Sequence, residues 1–170
     1  MTPVQPPRWG AQFERAAQSP MTWVRSARRL KLAAEAIWDL HKTELNKTGL
    51  NLERTGGLGL GPVCLLLAGL AIEGLAKAVI VQQQRPKIKD GRLPRWILGH
   101  RISALLRQAN IKLDASEQQL VRRLEISVLW AGRYPVPKRA ADMELGKAIW
   151  EQDPNLFGGL YTRLESIARR

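Results

Sequence analysis

The chain has 170 residues, with 27 Lys and Arg against 15 Asp and Glu, a net charge of +12 and 45% apolar residues. These are the proportions of a globular protein of about one domain, and they exclude a disordered or collagen-like chain. The single cysteine, Cys64, excludes an intrachain disulfide and a cysteine-rich zinc site, and two histidines leave little room for a His-based metal centre. The composition suits a reducing cytoplasm and calls for no metal or other cofactor.

The N-terminal segment, residues 1–18, reads as an arm. Its first ten residues are rich in proline and carry no apolar core of the kind a secretory signal needs. A single bundle domain is expected over residues 19–170. Ser19-Pro20 is an N-cap followed by proline at the first helical position, and a helix from there should reach about Asn46. Trp23, Ala27, Leu30, Ala34, Ile37 and His41 step by three and four along it as an apolar seam, with Arg25, Arg28, Arg29 and Lys31 mostly off that seam. Residues 48–61 are glycine-rich and read as a loop. They do not form a phosphate cradle, because no strand precedes them and no Gly-Lys-Ser/Thr follows.

Pro62 opens a second helix that is apolar nearly all round and ends near Gln82 to Gln84. Such a helix belongs at the centre of a bundle. Glu73 and Lys77 interrupt it, and each would cost roughly 2.5–3.5 kcal/mol near a bilayer centre, so no membrane span is expected. Their i, i+4 spacing, acid first, is the favoured orientation for a pair. The basic loop from Arg85 to Pro94 leads to a third helix over about Arg95 to Ala109. Asp114 and Glu117 have the spacing of a capping box and open a fourth, stopped by Gly132, Pro135 and Pro137. A short helix is expected around Met143 to Trp150. Asp153-Pro154 is an N-cap with a first-position proline for the last helix, which carries Leu160, Leu164 and Ile167. No period-2 strand pattern appears. The fold class is all-α: an antiparallel up-and-down bundle of four to five main helices with short flanking helices.

Four groups of residues could carry chemistry. Arg95 precedes His100 by five positions. A histidine can move protons near neutral pH, and an arginine can hold a phosphate and stabilise charge growing on it. That pair suffices for RNA cleavage without a metal. The plainer reading is a histidine packed at a helix start and an arginine in solvent. Glu73 and Lys77 form either a buried pair that fixes helix register or, with His100, a polar pocket. Arg133 and Tyr134 project at a helix C-terminus, either bonding terminal carbonyls at a rigid corner or contacting a nucleotide or other ligand. His41 reads as a packed, hydrogen-bonded histidine and Cys64 as an inert small hydrophobe. The +12 charge favours a polyanion partner, nucleic acid before anionic membrane.

Three segments together resemble the bacterial HEPN-like helical proteins. They are Leu65 to Lys77, an apolar helix with an inward Glu and a Lys four later; Gly99-His100 followed by Ile102 and Leu105-Leu106; and Leu124-Glu125, Trp130 and Arg133-Tyr134-Pro135. The likeness covers roughly residues 20–137. It implies a bundle of four or five helices, commonly a homodimer. Active members are metal-independent RNases of toxin–antitoxin, abortive-infection and CRISPR systems, with a motif of Arg, four to six residues, then His, paired across the dimer. Arg95 and His100 satisfy that spacing.

Two readings follow. In the first, the chain is a dimeric RNA-binding protein and RNase of a toxin–antitoxin or phage-defence system. RNA is favoured over DNA, His100 is the acid and base, and Arg95 is the phosphate ligand. Glu73, Lys77, Arg133 and Tyr134 shape the pocket, and a cognate antitoxin is a possible partner. In the second, it is a non-catalytic helical module for nucleotide, nucleic acid, protein binding or dimerisation. A weaker third reading is a protein using its basic face on a membrane surface. The first expects Arg95 and His100 exposed, close together and near a twofold axis. The second expects His100 buried on Glu73 with Arg95 in solvent elsewhere.

Overall fold

The structure, a computed structural model, describes residues 9–48, 60–86, 88, 92–134, 137, 140 and 152–170. Six α-helices account for most of them: α1 (Gly10–Gln18), α2 (Pro20–Thr48), α3 (Leu60–Gln84), α4 (Ile102–Gln108), α5 (Ala115–Ile126) and α6 (Asp153–Ala168). No β-strand occurs among the described residues. The fold is the expected all-α bundle.

Helix α3 is the axis on which the rest is built. Its apolar surface runs all the way round, so it must be covered on every side, and 15 of its 25 residues are buried. Length and composition alone would let it cross a membrane, with a mean hydropathy of 2.1, and 72% of that stretch is buried inside the bundle. Helix α2 lies antiparallel to it: Ala27 faces Gly74 and the Cys64 Sγ donates to the Ala34 carbonyl at 3.5 Å. Of the predicted seam on α2, Ala27 and Ala34 are buried and Trp23 and Leu30 pack against the core.

Small residues set the closest approaches. A Cβ on Gly69 would stand 2.6 Å from Val128 Cγ2 and 3.0 Å from the Leu124 carbonyl oxygen. Only glycine lets α5 come so near to α3. The same holds where α5 ends. It continues as a wider π turn, Ser127–Ala131, and a Cβ on Gly132 would stand 2.6 Å from Leu66 Cβ and 2.8 Å from the Pro62 carbonyl oxygen. Helix α5 is therefore antiparallel to α3, with its end beside the start of α3. At its own start the Asp114–Glu117 capping box is present with both hydrogen bonds formed.

Helix α6 closes the bundle by ion pairs that run along its length. Asp153 meets Arg123 of α5 at one end, a pair with both residues buried. Arg163 meets Glu117 at 2.9 Å, and Glu165 meets Arg28 of α2 at 2.7 Å. Gln152, not Asp153, occupies the N-cap of α6, and Asp153 stands in the first turn where its carboxylate turns to Arg123. Proline at the first turn is as expected.

Two features differ from the expectation. The arm is helical over Gly10–Gln18, where Ala17 is buried and its carbonyl accepts from Trp23 Nε1 at 3.0 Å. The proline run before it hides a stretch of good helix formers. The helix expected over Arg95 to Ala109 is broken: a 3₁₀ turn, Arg95–Leu98, is followed by extended backbone at Gly99 and Arg101, and α4 starts only at Ile102. Gly99 is a poor helix former, and its backbone is extended, at φ −71° and ψ 150°. The helix expected around 143–150 lies outside the described residues.

Candidate functional site

That break positions the site. His100, within the break, stands against the middle of α3 at Glu73. Ile97 and Ile102, both buried, anchor the chain on either side of the histidine. At the same level α3 presents Glu73 and, one turn on, Lys77. Both are 5% exposed in an otherwise apolar helix. Such charges persist in a core only when paired.

The pairing is complete. Lys77 Nζ donates to Glu73 Oε1 at 2.6 Å, and His100 Nδ1 stands 3.1 Å from both Oε1 and Oε2. Lys77 Nζ also lies over the Trp23 ring, 6.0 Å from its centroid, a further favourable contact for a desolvated cation. An ionised carboxylate only accepts, so Nδ1 must carry the proton that faces it. Neutral His100 then keeps its lone pair on Nε2. The His100 side chain is 50% exposed, so a deeply buried carboxylate holds a ring that is open to solvent. This is the orientation logic of a carboxylate behind a catalytic imidazole.

The segment around the trio is tied down as well. Ser103, in the first turn of α4, donates from both its backbone N–H and its Oγ to Glu125 Oε2 at 2.7 Å. Sequence reasoning missed this clamp, because nothing local links positions 103 and 125. It also missed the buried Arg123–Asp153 pair, which joins two helices far apart in sequence.

The other candidates fall elsewhere. Arg95 opens the 3₁₀ turn and is exposed; no hydrogen bond or ion pair joins it to His100 among the described residues. Arg133 Nη1 donates to the Val128 carbonyl at 3.5 Å, and its guanidinium lies 5.5 Å from the Tyr134 ring centroid. Both residues are exposed at the corner after the π turn, directly after Gly132, which stands beside Pro62 and Leu66 of α3. Seven to eleven residues of helix separate that level from Glu73, or about 10–16 Å along the axis. The structure therefore joins Glu73, Lys77 and His100, and sets Arg133 and Tyr134 apart from them.

His41 packs beside Trp38, ring centroids 6.1 Å apart, but its Nδ1 is buried without a hydrogen-bond partner. Cys64 is buried, and desolvation, with the Asp153 carboxylate adding to it, pushes its thiol up to about 11. Among the described residues no three His, Cys, Asp or Glu side chains gather where one metal ion could be held.

No family model, curated protein or solved structure matches this chain.

Proposed function

We propose that the chain is a basic RNA-binding helical protein that cleaves RNA without a metal, with His100 as the proton-transfer group. The observation that carries this reading is the contact between His100 Nδ1 and Glu73, on a ring half open to solvent. In the proposed reaction Nε2 of neutral His100 takes the proton of a ribose 2′-hydroxyl. The 2′-oxygen attacks the adjacent phosphorus, the bond to the 5′-oxygen breaks, that oxygen takes a proton from solvent, and the imidazolium returns its proton to solvent, which restores neutral His100. The products are a 2′,3′-cyclic phosphate and a 5′-hydroxyl. Glu73 stabilises the imidazolium formed in the first step, and Lys77 balances the Glu73 charge in a nonpolar core. Arg95, exposed and five residues before His100, supplies the charge for the phosphate oxygens. The +12 balance supplies affinity for the backbone.

Three observations favour the second reading, a non-catalytic module for nucleotide, nucleic acid or protein. His100 is held on Glu73, Arg95 makes no hydrogen bond or ion pair with His100 among the described residues, and Lys77 already balances Glu73, so the trio is also complete as a structural network.

A single experiment separates them. Wild type, His100→Ala and Arg95→Ala are incubated with end-labelled single-stranded RNA in chelator, at low and high salt. The RNase reading expects cleavage to cyclic-phosphate ends by wild type alone. Salt-sensitive binding by all three proteins without cleavage establishes the module instead, and absence of both overturns the RNA reading.

A further inference from the structure

Residues 91–113 hold five cations, Arg92, Arg95, Arg101, Arg107 and Lys112, and no Asp or Glu. His100 stands among them. All five are exposed, and none makes a side-chain hydrogen bond or ion pair among the described residues. Elsewhere cations are matched. Arg28 and Arg169 share Glu165, Lys31 meets Glu35, Arg163 meets Glu117 and Arg123 meets Asp153. Two carboxylates from other helices reach the 91–113 segment, and both are engaged: Glu73 by Lys77 and His100, Glu125 by Ser103. Like charges without a counter-charge repel one another, and the same field draws in a polyanion. Arg25 and Arg29 on α2 are also exposed and without an ion pair among the described residues. That helix, however, also carries Glu35, Asp39 and Glu44.

Helix α4 sets the charge in a row that begins at His100. The histidine stands at Glu73. At the far end of α4, the Ala109 carbonyl accepts from Gln83 Nε2 at 3.2 Å and Gln108 Nε2 donates to Gln84 Oε1 at 3.4 Å. The helix therefore runs alongside the second half of α3, in the same direction. Ile102, Leu105, Leu106 and Ala109 are buried, and Arg101, Ala104 and Arg107 are exposed at a spacing of three. Arg101 and Arg107 are about 9 Å apart along the axis, and the small Ala104 between them leaves the row open to a strand lying on it.

We infer that this outer face of α4 is the track for the phosphodiester backbone of single-stranded RNA. The strand lies over Ala104 with phosphates on Arg101 and Arg107, and reaches His100 at the start of the helix. The inference rests on the RNA reading above and adds to it the surface that holds the strand.

The test measures binding of a labelled single-stranded RNA against salt concentration in full-length His100→Ala, where cleavage does not intervene. The same protein is then measured with Arg101→Gln and Arg107→Gln, or with Arg25→Gln and Arg29→Gln. Both pairs remove equal charge from exposed positions, and thermal unfolding verifies each fold. Each lost phosphate contact should flatten the slope of log affinity against log salt by about 0.7. The α4 pair should therefore flatten it by about 1.4 and weaken binding roughly tenfold or more in 0.1 M salt. The α2 pair should leave the slope nearly unchanged. No change from the α4 pair, or an equal loss from the α2 pair, overturns the track and leaves the RNA reading standing. No RNA binding by His100→Ala even at low salt overturns both, and salt-sensitive binding to phosphatidylserine vesicles in its place would assign the face to a membrane.

Discussion

His100 Nδ1 stands 3.1 Å from both carboxylate oxygens of Glu73, a contact that spans 27 residues of sequence and joins a half-exposed ring to a buried acid. Because Lys77 shares the same carboxylate at 2.6 Å, the trio has a structural and a chemical side that mutation can part. Glu73→Gln leaves Lys77 as a buried cation with no counter-charge, and should cost about 3–5 kcal/mol in urea unfolding. Lys77→Met should also destabilise. Glu73→Leu with Lys77→Met removes both charges and should recover most of that loss, since a packed apolar pair often equals a buried ion pair. If the chain is the RNase proposed above, the double variant should fold and yet cleave no RNA. A double variant as unstable as Glu73→Gln contradicts the pairing argument, and one that cleaves RNA removes Glu73 from the mechanism.

Cys64 is predicted to be unreactive in the folded protein. Burial holds its thiol near 11, so at pH 8 only about one molecule in a thousand carries the thiolate, the nucleophilic form. A disulfide reagent such as dithionitrobenzoate should label it slowly in the native state and within seconds in urea. Equal rates in both would show that the bundle around it opens freely.

Much of the fold was legible because its signals are local. Ser19-Pro20, the Asp114–Glu117 box and the apolar run after Pro62 each state a helix within a few residues. The Glu73–Lys77 pair was legible for the same reason, since i, i+4 spacing places both on one face. Long-range features were not. Nothing in sequence tells that Ser103 meets Glu125 or that Arg123 meets Asp153, because both depend on how α5 packs. His100 is an intermediate case. Its residue type marked it as a candidate, but the break at Gly99 that turns it back onto Glu73 was read as helix. Spacing suggested a phosphate-binding role beside it for Arg95, and five residues of separation do not fix where a side chain points once the helix is broken.

Two glycines should respond in opposite directions to the same change. At Gly69 an added Cβ meets Val128 Cγ2 at 2.6 Å and the Leu124 carbonyl at 3.0 Å. The carbonyl belongs to a helix backbone and cannot step aside, so Gly69→Ala should lose about 1–3 kcal/mol. At Gly158, inside α6, nothing lies within 4 Å. Gly158→Ala there should gain roughly 0.5–1 kcal/mol by helix propensity. Thermal unfolding reads both, and a tolerated Gly69→Ala would mean α5 lies farther from α3.

The acid limb of stability should depend on Glu165. Its carboxylate accepts from Arg28 at 2.7 Å and from Arg169 at 2.8 Å. Burial pushes the carboxyl up, but the bonds and charges of the two arginines outweigh it and hold it below its ordinary value of 4.5. In the unfolded chain that depression is lost, so the unfolded state binds more protons as the pH falls. The stabilisation is therefore fully present above pH 4.5 and disappears as pH drops through the lower value of the folded state. Glu165→Gln should cost roughly 0.5–1 kcal/mol at neutral pH, in the range of partly exposed pairs. In urea titrations repeated toward strong acid, the gap between wild type and variant should close below pH 4.5. A gap that stays constant into strong acid would show that Glu165 acts through packing against α2, not through its charge.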